Sequence, residues 1–370
     1  MREIMIIAGE ASGDLHGGAL AERLRAIAPD RPLVGIGGQR MEAAGVELLE
    51  RVDNLAVMGF VEVLAHIPKH WALLRTLRSR MQSGRVGLLV LIDYPGFNLK
   101  LAAAARDAGV PVLYFITPQV WAWGAGRLSK MAKVVTRAAP ILPFEEKLLR
   151  DHGIDARFVG HPLLDRAQAL PTRDEARAKL GLALDRPVLA LFPGSREQEI
   201  ARHLDDFVAT GREMERRVPG LQVVVSVAAT IDLDPARCPF PMVRGASFPV
   251  LRAADAAMCK SGTTTLEAAV AGCPLVVAYR TSDWTYRIAR RLVKIPHIGL
   301  VNVVAGREVA REFVQDALEP RAVSDELEQL LSRSSPRRAE VVNGLAEVRA
   351  KLGTPGAAER VARMALEMVR

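Results

Sequence analysis

Cysteine is scarce in this chain: of 370 residues only Cys238, Cys259 and Cys273 are cysteine, and no two stand in C-x-x-C spacing. An odd, scattered set of that kind excludes a disulfide framework and a zinc knuckle as organising devices and suits a reducing compartment. Long apolar runs are also missing. None approaches the roughly 18–20 residues that a membrane-spanning helix needs, so the chain is expected to be soluble or to sit on a surface. Two common nucleotide signatures are absent as well. The loop Gly9-Glu10-Ala11-Ser12-Gly13-Asp14 lacks the lysine of a Walker sequence, and Gly35-Ile36-Gly37-Gly38 has Arg40 where G-x-G-x-x-G needs its last glycine. Internal repeats and low-complexity segments are lacking too.

With 49% hydrophobic and 25% charged residues the composition is that of a globular protein with room for two cores. The formal net charge of +8 comes from arginines spread along the chain. It favours a polyanionic surface as partner, and on charge alone nucleic acid and anionic membrane fit equally.

Short apolar runs alternate with helical patterns throughout. Ile4–Ala8, Leu33–Ile36, Leu88–Ile92 and Val112–Phe115 read as strands in the first half, and Val188–Phe192, Val223–Val227, Ala254–Met258 and Pro274–Ala278 in the second. Alternation of this kind predicts an α/β fold of two doubly wound, Rossmann-like parallel sheets. The pattern pauses at Val159-Gly160-His161-Pro162-Leu163, which places a domain boundary there. The expected division is a first domain over 1–165, a second over 166–340, and C-terminal helices over 341–370 that pack on the first domain or on a partner subunit.

One stretch gathers the features of a phosphate seat: Lys260-Ser261-Gly262-Thr263-Thr264-Thr265-Leu266-Glu267 opens an alanine-rich helix with small residues. First-turn N–H groups and the helix dipole hold an anion there without a dedicated cation. Glu267, one turn inside, suits the hydroxyls of a ribose. The competing reading is a plain capping box of Thr264 and Glu267. Asp93 stands at the end of a strand, in Asp93-Tyr94-Pro95-Gly96-Phe97-Asn98, where ligands collect in open α/β sheets; it could equally cap the helix that follows. Trp121 and Trp123 occupy a post-strand loop, as core packing or as a substrate-facing wall. Asp232-Leu233-Asp234 has the form of a metal-binding pair but sits in a polar loop with no third ligand, so no metal and no cofactor is expected.

The joint order of these segments resembles the lipid-A-disaccharide synthase family of inverting glycosyltransferases. The resemblance is carried by Gly9–Asp14, Met58-Gly59-Phe60-Val61-Glu62-Val63, Asp93–Asn98, Pro118-Gln119-Val120-Trp121-Ala122-Trp123, Leu142-Pro143-Phe144-Glu145, Gly160-His161-Pro162-Leu163, Pro193-Gly194-Ser195-Arg196 and Ser261–Glu267, in that order, over residues 4 to about 315. The chain departs from the pattern at Val301 and Arg311, where the family usually has proline. The resemblance implies the two-domain glycosyltransferase B fold, its domains facing one another. It also implies transfer of 2,3-diacylglucosamine from UDP-2,3-diacylglucosamine to 2,3-diacylglucosamine-1-phosphate, giving a β-1,6-linked disaccharide phosphate and UDP. A UDP-sugar 2-epimerase of the same fold and a non-catalytic nucleotide-sugar-binding module are the alternatives.

By the same resemblance Asp93 is the base and Arg196 stabilises the leaving diphosphate. Ser195, Ser261, Gly262, Thr263, Glu267, Asn302, Glu312 and Gln315 belong to the donor site, and Glu10, Ser12, Gly13, Asp14, Met58 and Asn98 to the acceptor site. The helical stripe through Phe60, Val63, Leu64, Ile67, Trp71 and Leu74 is flanked by basic residues. Such stripes are usually core. With acylated substrates, Val63, Ile67 and Trp71 are instead expected to be exposed, to meet acyl chains and to dock the enzyme on the inner leaflet of the cytoplasmic membrane, with anionic lipid rather than nucleic acid as the surface. A homodimer is left open.

Overall fold

The computed structural model describes residues 1–54, 60–121, 126–282, 284, 286–287 and 296–369, with the side chains of 60–69 left out. The chain divides into two compact units, Met1–Pro162 with Gly353–Arg370, and Leu163–Leu352. The sheet of the first unit comprises β1 (Glu3–Ala8), β2 (Leu33–Gly37), β3 (Glu47–Arg51), β4 (Val86–Ile92), β5 (Val112–Phe115) and β6 (Arg137–Ala139), all parallel, in the order β3-β2-β1-β4-β5-β6. That of the second comprises β7 (Val188–Phe192), β8 (Gln222–Val227), β9 (Met242–Arg244), β10 (Ala256–Lys260), β11 (Leu275–Tyr279) and β12 (Glu312–Val314), again parallel, in the order β12-β11-β10-β7-β8-β9. Both are doubly wound. Strand order reverses between β1 and β4 in one unit and between β7 and β10 in the other, which opens a crevice at the carboxyl ends of those strands.

The central strands are apolar because helices cover both faces of each sheet. All of β4 is buried, and its alternate residues enter two cores: Leu89 and Leu91 join Leu77, Met81 and Phe97, while Leu88 and Val90 join Leu20, Leu24 and Phe115. The last helix, Ala357–Met368, belongs to the first unit and gives Val361, Ala362, Met364 and Ala365 to the second of these cores. Helix Pro336–Lys351 stays with the second unit, so a cut at residue 340 passes through a helix. Four strands escaped the sequence reading, β3, β6, β9 and β12, and all four are sheet edges. They are short and carry charge, as in Glu47-Leu48-Leu49-Glu50-Arg51, so they lack the apolar run that marks a strand buried on both faces.

The second unit is tied at the amino ends of its strands by a buried charge pair. Arg177, 0% exposed, donates to the Asp255 carboxylate at 2.6 Å and to the carbonyls of Ala253, Ala183, Leu184 and Arg186. Asp255 also accepts from the Val188 amide at 2.9 Å, which anchors the start of β7. Burial works to raise the Asp255 carboxyl, but that amide and the Arg177 and Arg173 guanidiniums outweigh it and hold the group below its ordinary range. Removing one partner leaves the other charge buried and uncompensated, so Arg177→Met is expected to cost about 3–5 kcal/mol. Chemical denaturation should report it, with part of the loss recovered when Asp255→Leu is added.

Candidate active site

The crevice at the β7/β10 reversal is a cavity of about 370 Å³ within the second unit, walled by the turns that follow β7, β8, β9 and β10. Its floor is the turn Ser261-Gly262-Thr263 leading into helix Thr264–Ala271. The amides of Thr265, Leu266 and Glu267 bond back to Gly262 and Thr263, and that of Ser261 donates to Ala278. The amides of Gly262, Thr263 and Thr264 have no acceptor among the described residues, leaving three consecutive N–H groups at a helix start for an anion. The capping-box alternative does not form: Thr263 is the cap residue, without a side-chain cap bond. Glu267 lines the cavity, 7% exposed, and takes a bond from Arg166 Nη1 at 3.2 Å.

The opposite wall is the turn after β7. Gly194 has φ of +145°, and a Cβ there would lie 2.6 Å from that of Glu199, so only glycine lets the turn close on the helix Glu197–Arg217. Glu199 accepts from the Ser195 amide at 2.9 Å and from Lys260 Nζ at 2.8 Å. Burial pushes its carboxyl up, but the Lys260 bond, the Ser195 amide and the nearby Arg196 outweigh this and keep it below the ordinary carboxylate range. Lys260, Glu199 and Ser195 thus join the two turns of the switch point. Arg196 is exposed, its Nη1 3.9 Å from Glu199.

Three expected donor residues do not line this cavity. Asn302 is fully buried; its amide nitrogen donates to Ala310 O and Glu312 Oε1, and its carbonyl accepts from Val309 and Ala310 N. Glu312 accepts from the amides of Ile298 and Gly299, and Gln315 pairs both ways with the Thr281 backbone. With their polar atoms spent on backbone and on one another, these residues shape the adjoining loop, which reaches the seat where Ser261 Oγ donates to Ile298 O at 2.8 Å. Val301, standing where proline is usual, uses the amide that proline would lack to donate to Thr265 Oγ1 at 3.3 Å. Arg311 lies over the Phe313 ring. Asp232 pairs with Arg244, and Asp234 caps the short turn at Ala236.

In the first unit the turns after β1 and β4 meet at the corresponding reversal. Asp93 and Tyr94 both take left-handed backbone, φ +45° and +48°. Two successive non-glycine residues there are strained, and the turn is held by Asn98 Nδ2 and Tyr114 Oη, each donating to Asp93 O at 2.7 Å. The Asp93 side chain is exposed. Gly9 is required by the same turn, since a Cβ would lie 2.2 Å from the Tyr94 ring. Asn98, fully buried, gives its Nδ2 to the Ile92 and Asp93 carbonyls and so positions Asp93. Asp14 is also committed: its carboxylate accepts from the amides of Gly38, Arg40 and Met41, fixing the turn after β2. Gly13 is buried, while Glu10 and Ser12 are exposed beside it. Met58 lies outside the described residues, as do Trp123 and the side chains of Val63 and Ile67.

Two of the motifs converge. Trp121 Nε1 donates to Glu145 Oε1 at 3.1 Å and its ring meets Phe144 edge-on, so Trp121 serves packing. Glu145 is 2% exposed, and burial pushes its carboxyl up to about 7 against the pull of its hydrogen bonds. A folded-state value above the unfolded one adds stability that is complete below about 4.5 and is lost as pH rises through about 7. Wild type should therefore lose on the order of 3 kcal/mol relative to Glu145→Gln across that window, read as a pH-dependent gap between their melting temperatures. Arg166, Glu199 and Tyr114 were not singled out from sequence, and Lys260 was quoted as the start of the seat without its partner Glu199. Glu199 had a local signal, four residues after Ser195, whereas Arg166 stands 101 positions from the carboxylate it holds.

A family model described as lipid-A-disaccharide synthetase matches residues 4–354. A lipid-A-disaccharide synthase of Trichlorobacter lovleyi is 42% identical over 375 residues, covering 100% of this chain and 98% of the relative. Among solved structures, a glycotransferase of kitacinnamycin superposes with a TM-score of 0.67 at 16% identity, covering 100% of this chain and 99% of that one. A UDP-GlcNAc 2-epimerase from Neisseria meningitidis, bound to UDP-GlcNAc, superposes with a TM-score of 0.66 at 10% identity, covering 99% and 100%. At such identities the structures speak for the fold alone, which is the glycosyltransferase B type of two doubly wound sheets. Sequence relatedness over nearly the whole chain decides between the activities that share this fold, against the epimerase and the non-catalytic module. The chain belongs to the lipid-A-disaccharide synthetase family, as a glycosyltransferase of lipid A disaccharide formation.

Proposed function

We propose that the second unit binds UDP-2,3-diacylglucosamine and the first binds 2,3-diacylglucosamine-1-phosphate, the sugar passing to the acceptor's 6-hydroxyl in β-1,6 linkage. The observation that carries this reading is the run of open amides at Gly262, Thr263 and Thr264 with Lys260 on one side and Glu267 one turn inside. A diphosphate on those amides lets the ribose hydroxyls of its nucleoside donate to the Glu267 carboxylate, which Arg166 holds in place. In the transfer, the bond from the anomeric carbon to the β-phosphate oxygen breaks and its electron pair leaves with UDP. The acceptor oxygen bonds to the opposite face and its proton passes to Asp93. Charge growing on the diphosphate meets the helix start, Lys260 and Arg196.

The strained turn at Asp93, clamped by Asn98 and Tyr114, supports its role as base, because a turn that costs conformational energy is retained where it aims a side chain. Asp93→Asn is expected to lower turnover roughly 10²–10⁴-fold, assayed with a chelator present, while UDP affinity stays near wild type. Near-normal turnover in this variant would remove Asp93 from the chemistry.

No helix among the described residues is long and apolar enough to cross a membrane. Peripheral attachment to the inner leaflet is supported by Trp71, 59% exposed on helix Phe60–Gln82, with Lys100 Nζ 5.5 Å from its ring and Arg75 and Arg78 exposed nearby. Leu77 and Met81 of the same helix are core residues, and Leu74 packs partly against them, so any docking face is confined to the helix's other side. Trp71→Ser should weaken binding to anionic vesicles in a co-sedimentation assay with little change in melting temperature. Unchanged vesicle binding would assign docking to another surface.

A further inference from the structure

The second unit has another cavity, of about 380 Å³, at the end of its sheet opposite the amide seat. Asp255 immediately precedes β10 and Lys260 ends it, so the two sites are separated by the length of that strand, about 16 Å. Four guanidiniums line the cavity, Arg173, Arg252, Arg333 and Arg338, against the single carboxylate of Asp255. That carboxylate is already engaged by the buried Arg177, by Arg173 Nη2 at 3.1 Å and by the Val188 amide. Asp174 only grazes Arg173 at 3.5 Å and does not line the space.

Part of this positive charge has a structural use. Helices Ser247–Ala253, Thr264–Ala271 and Pro320–Leu331 all end here; Arg252 donates to Ala271 O, and Arg338 to Asp255 O and Leu330 O. Three helix ends carry roughly half a negative charge each, which together with Asp255 still falls short of four guanidiniums. Donors remain as well. Among the described residues, Arg252 bonds through Nε and Nη1 and Arg338 through Nη1, so Nη2 of each has no protein acceptor. Arg173 Nε is buried without any acceptor. Arg333 is 73% exposed at the rim, 3.7 Å from Asp255.

We propose that this arginine-lined cavity is a second anion site, distinct from the donor pocket, that takes a phosphate monoester or diphosphate group. Planar guanidiniums with spare N–H groups match the oxygens of such a group, and the volume leaves room for a small body attached to it. The phosphate can come from a soluble phosphorylated compound or from a lipid headgroup.

Calorimetric titration with inorganic pyrophosphate, with and without saturating UDP, tests the site. Wild type is expected to keep one pyrophosphate site when UDP is bound, and Arg333→Glu, in a residue outside the donor pocket, to weaken that site by at least roughly tenfold without moving UDP affinity or the melting temperature. If UDP fails to bind, the donor assignment falls, and Arg333→Glu still reports on this cavity without nucleotide. Vesicles containing phosphatidic acid distinguish the sources: loss of their binding in Arg333→Glu points to a headgroup, and loss of pyrophosphate binding alone to a soluble ligand. Absence of a second pyrophosphate site, or an affinity that Arg333→Glu leaves unchanged, would overturn the proposal.

Discussion

The amides of Gly262, Thr263 and Thr264 cannot be satisfied by the helix they open, and much of the second unit is arranged around that fact. A buried N–H without an acceptor is unfavourable, so the turn lies where strand order reverses and the crevice stays open to solvent or ligand. The surrounding polar groups hold the turn without filling it. Ser261 is bonded to Ile298, Thr265 to Gly262 and Val301, and the loop behind them is set by Asn302 and Glu312. A seat built from backbone in this way needs small residues at its surface and fully bonded residues behind.

The first unit meets the corresponding problem differently. Its reversal is occupied by an aspartate in left-handed backbone, and the surrounding residues counter that strain rather than supply binding groups. Asn98 and Tyr114 hold the Asp93 carbonyl, Gly9 makes room for the Tyr94 ring, and Asp14 anchors the neighbouring turn. Burial, with the Asp93 charge adding to it, raises the Tyr114 phenol far above its usual range, so it remains a donor at any physiological pH. Residues that look like ligand contacts when quoted as a motif thus divide into exposed groups, Asp93, Glu10 and Ser12, and several buried supports.

The two ends of the second sheet handle charge in opposite ways. At the carboxyl ends of the strands, backbone N–H groups and one lysine provide a positive field with little side-chain bulk. At the amino ends three helix termini gather carbonyls, and arginines answer them in excess. The basic composition is therefore structural in part, since Arg177, Arg252 and Arg338 hold carbonyls inside the fold, and net charge alone says little about partners.

Sequence by itself determined the central strands, their parallel doubly wound arrangement and the two strand ends that carry Asp93 and the amide seat. It could do so because a strand covered on both faces must be a continuous apolar run, and because small residues at a helix start leave its amides open. It also determined the family, through eight short segments in register. Tertiary structure decided the edge strands, whose polar composition carries no such run, and the partners of Glu267, Glu199 and Asp255, which come from distant parts of the chain. It decided too that Asp14 and Gln315 spend their polar atoms on backbone, Asn302 and Glu312 on backbone and on each other, and that Asn98 gives its Nδ2 to the Ile92 and Asp93 carbonyls. A side chain's hydrogen-bond partners depend on which turn lies opposite, and no local pattern encodes that.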